Sequence, residues 1–73
     1  MFDMSKLRGK IVEKFKNLKD FADAIHRSRA FVSDVLNGKR YLKQTDIDSW
    51  AQALDIPAIE IPVYFFRRKV HET

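Results

Sequence analysis

The 73-residue chain has no cysteine, which excludes a disulfide framework and any thiolate metal site. It has two glycines and two prolines, too few for a turn-rich all-β fold or a disordered Pro/Gly-rich segment. No apolar run approaches the ~20 residues that span a bilayer. The stretch "MFDMSKLRGK" has neither an apolar h-region nor a small-residue cleavage site. The expectation is a cytoplasmic protein without a membrane partner. Catalytic signatures are lacking too: there is no Gly-rich phosphate loop, no His-Glu-x-x-His, and no Ser/His/Asp constellation. His26 and His71 stand far apart without clustered carboxylates. A chain of this length has little room for a water-excluding pocket. The sequence therefore predicts no enzyme, no metal and no cofactor.

What is present is positive charge, unevenly placed. The net charge is +4. Residues 1–44 hold 11 Lys/Arg against 5 Asp/Glu, and residues 45–73 hold 3 against 5. A basic first half suits an anionic partner, nucleic acid first, although a solvated basic face has the same composition.

The apolar spacing predicts four helices, a short fifth and a tail. Leu7, Ile11 and Phe15 recur at i, i+4, i+8, one helical stripe, with Asp3 or Ser5 as its cap. Asn17 is a good N-cap for a second helix whose inner face is Phe21, Ala22 and Ile25, and Asp20 suits its positive end. Ser28 caps a third helix over 29–37, and Gly38 supplies a left-handed stop. Ile47, Trp50, Ala51 and Leu54 mark a fourth helix; Thr45-x-x-Asp48 resembles a capping box, and a start a residue or two earlier is the alternative. Pro57 opens one more helical turn, which Pro62 is expected to interrupt. "V63-Y-F-F66" is too apolar for water, so it closes the core or forms an interface. The expected organisation is one domain over 1–66 and a polar tail over 67–73.

Two short helices joined by a tight turn, the second stopped by glycine, have the spacing of a helix-turn-helix. In such a unit the second helix enters the major groove. Arg29 there can pair bidentately with guanine, Asp34 can accept from cytosine N4, and the Ala30 methyl can touch thymine. Alternatively, Arg29 is a solvated charge, and Asp34 orients Arg27 or Arg29. Phe31 has three readings: a thymine contact, a fold-back onto Val35, or a protein contact.

The stretches "S5-K-L-R-G-K-I", "F21-A-D-A-I", "F31-V-S-D-V-L-N-G-K" and "A53-L-D-I-P…E60-I-P-V-Y-F-F66" resemble the lambda-repressor/Cro-like helix-turn-helix superfamily, and within it the short phage Cro-like regulators and antirepressors. The resemblance implies an all-α fold with Val32 and Leu36 buried. It places Ser28, Arg29, Ala30, Ser33 and Asp34 toward the groove. It brings Asn37, Gly38, Lys39 and Arg40 to the phosphates, with Asn17, Lys19 and Ser28 as further phosphate contacts. It implies a homodimer on an operator in a bacterial host, with 59–66 and the tail as the dimer surface. The pattern is departed from at Leu18, where a polar phosphate contact is usual, at His26, where glycine is usual, and at Arg27, where a small apolar residue is usual.

The expected function is sequence-specific DNA binding for transcriptional control, with protein binding as the alternative. The first would be a phage repressor that reads operator half-sites through helix 29–37. The alternative is an antirepressor or co-repressor that holds a partner phage repressor protein on the same face, where Leu18, Phe31 and Val35 are expected to supply an apolar patch. A small toxin–antitoxin regulator shares the motif.

Overall fold

The stripe of Leu7, Ile11 and Phe15 lies along the inner edge of α1, Ser5–Phe15. It is followed by α2, Leu18–Ala24, α3, Arg29–Leu36, and α4, Gln44–Ala53. A single 3-10 turn, Ala58–Glu60, leads into α5, Ile61–Phe65. The computed structural model describes residues 3–66, and among them the regular structure is entirely helical. The expected tail, 67–73 with its His71, lies outside the described residues.

The expected caps of the two central helices form. Asn17 Oδ1 accepts the Asp20 N–H at 2.8 Å, and Ser28 Oγ accepts the Phe31 N–H at 3.1 Å. Each satisfies a backbone donor that the first turn leaves without a partner. At the start of α1, Asp3 Oδ1 accepts from the Ser5 N–H at 3.0 Å and from the Ser5 hydroxyl at 2.7 Å. The Thr45 capping box does not form: α4 begins at Gln44, after Lys43. Gln44 Nε2 instead donates to Asp48 Oδ1 at 3.0 Å.

The ends of α2, α3 and α4 follow one pattern. After α3, Gly38 has φ 76°, and the Gly38 and Lys39 N–H groups return to the Val35 and Asp34 carbonyls. These are the paired bonds of a Schellman stop. His26 (φ 58°) and Asp55 (φ 55°) close α2 and α4 with the same two bonds. A non-glycine residue in this region is strained by ~1–2 kcal/mol. His26→Gly is therefore expected to stabilise the protein by about 0.5–1 kcal/mol after the extra chain entropy of glycine is subtracted. A thermal melt followed by circular dichroism should rise by roughly 2–8 °C. Asp55 is exposed, and the Lys14 ammonium that pairs with it holds its carboxyl below the usual aspartate range.

The core is a chain of aromatic rings between helices. Phe15 and Phe21 lie 5.4 Å apart, Phe21 meets Trp50 edge-on at 4.9 Å, and Trp50 meets Phe65 at 6.4 Å. Leu7, Ile11, Val32, Leu36, Ile47 and Leu54 fill the space around them. Pro62 does not interrupt the last helix. It stands in the first turn of α5, where the N–H it lacks would have had no intrahelical acceptor. "V63-Y-F-F66" is divided: Tyr64 and Phe65 are buried, Val63 and Phe66 exposed. Within residues 3–66 no helix is long and apolar enough to cross a membrane.

Candidate functional site

Alpha2 and α3 pack directly on each other, and residues 25–28 join them. Leu18, Lys19, Arg27, Arg29, Ala30, Phe31 and Asp34 are the exposed or half-buried candidates of this pair and its turn. Arg29 and Ala30 are exposed on the first turn of α3, and Ser33 and Asp34 are half-buried one turn later. The Arg29 side chain forms no hydrogen bond or ion pair with the other described residues. Val35 does not belong here. It is 1% exposed, because Val32, Val35 and Leu36 form a single inward edge. The patch expected from Leu18, Phe31 and Val35 therefore reduces to Leu18 and Phe31, both half-buried.

Phe31 is the centre of this surface. The Arg27 guanidinium lies 4.7 Å from its ring centroid and the Arg40 guanidinium 5.1 Å. Both are within the ~6 Å over which a cation is attracted by an aromatic face. Arg27 is held a second time, since its Nη2 donates to Asp46 Oδ1 at 2.8 Å. Asp46 belongs to α4 and its side chain is largely covered. Arg27 is thus oriented by Asp46 and not by Asp34. Lys19, at the positive end of α2, is offset by Asp23 at 3.2 Å.

The polar residues beside the α3 stop are partnered as well. Asn37 Nδ2 donates to Ser33 Oγ at 3.3 Å, and Asn37 Oδ1 accepts from Arg8 at 3.3 Å. Asn17 and Ser28 use their side-chain oxygens as caps. Lys39 and Arg40 are exposed on the turn after α3.

The charge of the surface follows from its residues. From Leu18 to Leu36, Lys19, Arg27 and Arg29 stand against Asp20, Asp23 and Asp34, so the α2–α3 pair carries no net charge. The positive surplus of the first half lies on α1, with Lys6, Arg8, Lys10 and Lys14, on Lys16 just after it, and on the turn after α3. Sequence reasoning missed Asp46 and Arg8 as partners. Both contacts join elements remote in the chain, and no periodicity marks them.

Over residues 1–68 the chain matches the protein family described as "Protein of unknown function (DUF739)". It belongs to that family. No curated protein matches. Among solved structures, this DUF739 chain is similar to the modulator of repression of the temperate bacteriophage TP901-1 from Lactococcus lactis. The two are 40% identical with a TM-score of 0.79, and the similarity covers 96% of this chain and 95% of that one. The resemblance to small phage regulators is thus supported at the level of a repression-related phage protein. The α2–α3 surface and the turn after it lie wholly within the part that matches the DUF739 family.

Proposed function

We propose that this protein is a non-enzymatic modulator of phage repression that binds a repressor protein through the α2–α3 face, as an antirepressor or co-repressor. One observation carries the reading: the helix pair of a would-be DNA-reading unit has zero net charge. DNA affinity rests on Lys and Arg displacing counterions from phosphates. Here Lys19 is offset by Asp23, Arg27 is bound to Asp46, and Asp20 sits where the first turn of α2 would meet a phosphate. Leu18 cannot replace the polar contact. A helix pair without net charge, its half-buried Phe31 ring held between the guanidiniums of Arg27 and Arg40, has the composition of a protein interface, where Phe and Arg are enriched.

The operator-reading alternative, in a Cro-like homodimer, draws on Arg29, which is unpartnered among the described residues, and on exposed Lys39 and Arg40. The two readings differ in salt dependence. The repressors encoded in the same genome and a pool of that genome's DNA are titrated with the purified protein at two salt concentrations. The expected result is saturable binding to one repressor. DNA binding should be weak and unselective, with a log–log salt slope no steeper than about −3, the value for roughly three phosphate contacts. A selectively enriched, roughly palindromic DNA site that persists at the higher salt would overturn the proposal.

A further inference from the structure

A second surface lies on the other side of the α3 stop, where the start of α1, the turn after α3 and the end of α5 meet around an open groove of about 320 Å³. Val35, Ile47 and Phe65 form its floor, and Met4, Leu42 and Phe66 its walls. Gly38, left-handed and without a side chain, keeps one edge low. Tyr41 stands at the mouth, 83% exposed, and Phe66 is 45% exposed. The volume is at the low end of the ~300–1,000 Å³ of ligand sites, enough for one or two large side chains.

The groove's charge is one-sided. Arg40 is in its lining, and among the described residues no carboxylate is. Between Asp34 and Asp46 the chain carries Lys39, Arg40 and Lys43 and no acid. Arg8 extends the same side, reaching Asn37 beside Gly38. Tyr, Phe, Met and Arg are the residue types enriched at protein interfaces, and they tend to anchor binding where they line a desolvated pocket.

From this complementarity we infer that the groove docks an acidic peptide segment of a partner protein. One large apolar side chain of the segment enters between Leu42 and Phe66. Carboxylates on either side of it meet Arg40 and the flanking Lys39 and Lys43. The site goes beyond the repressor-binding face: it shares Arg40 with that face but neither Leu18 nor Phe31 lines it, so Phe66→Ser, which leaves Phe31 and both guanidiniums in place, is the variant that tests it separately.

The test selects a displayed library of random peptides on the immobilised full-length chain. The recovered peptides are expected to converge on one large apolar residue flanked by Asp or Glu. A synthetic peptide of that consensus should shift the amide resonances of Gly38, Tyr41, Leu42 and Phe66. Arg40→Glu and Phe66→Ser, both at exposed positions, should each weaken it at least about tenfold while the thermal midpoint holds. Replacing the consensus acids by lysine should abolish binding. No convergence, a consensus without acids, or shifts confined to another face would each overturn the inference.

Discussion

Trp50→Ala is expected to lower the thermal midpoint by about 12–40 °C and to leave a substantial unfolded population at 37 °C. Trp50 is 1% exposed and is the ring through which α2, α4 and α5 meet. Truncating it removes the edge-on contact with Phe21 and the contact with Phe65 at once. Truncations of buried Phe or Trp cost ~3–5 kcal/mol, since a cavity replaces both packing and burial. A chain of this length has roughly 4–11 kcal/mol of total stability by per-residue scaling, so the loss takes a large share of it. At about 4–8 °C per kcal/mol for a domain of this size, the midpoint falls by the stated amount. Trp50→Phe keeps an aromatic edge against Phe21 and should cost well under half as much. Circular dichroism is the suitable probe, because the substitution removes the sole tryptophan. A midpoint within a few degrees of wild type would show that the aromatic chain does not organise the core.

The apolar periodicity made much of this core legible. Leu7, Ile11, Trp50 and Leu54 are buried where the helical spacing puts them, and Asn17, Ser28 and Gly38 punctuate the chain as their side chains predict. The failures share a physical cause. Val35 reads as exposed if Phe31 and Val35 are paired at i, i+4. It reads as buried if Val32, Val35 and Leu36 are taken as one stripe. The choice depends on how wide an edge the neighbours cover, and packing sets that width. Pro62 reads as a breaker unless the position of the helix start is known, because proline is tolerated in the first turn alone. The start of α4 stayed open by a residue or two because Lys43 precedes it without a side-chain cap. The contacts that define the candidate site are harder still. Arg40 reaches Phe31 across the end of α3, and Arg27 reaches Asp46 on another helix. Neither has a sequence spacing that could announce it. Composition showed the basic first half. A count over Leu18–Leu36 alone puts that surplus off the α2–α3 pair.

Phe31→Ala should separate protein binding from DNA binding by moving them in opposite directions. In the proposed complex Phe31 contributes ring area and holds two guanidiniums in place for carboxylates of the repressor. Truncation of an interface anchor of this kind costs ≥2 kcal/mol, which is a loss of about thirtyfold in affinity. On DNA the same change releases Arg40 from the ring and removes a bulky apolar group from the groove-facing surface. DNA affinity should then hold or rise slightly, and the salt slope should steepen if Arg40 gains a phosphate. Phe31 is half-buried and packs against the core, so the variant also loses some stability, and the assay temperature must lie well below its midpoint. Phe31→Leu separates the two contributions: it keeps apolar contact but has no π face for Arg27 and Arg40. If the stacked guanidiniums carry recognition, Phe31→Leu binds the repressor nearly as weakly as Phe31→Ala. If apolar contact alone carries it, Phe31→Leu binds close to wild type. Repressor affinity unchanged in both variants, together with lost DNA selectivity, would return α3 to the role of an operator reader.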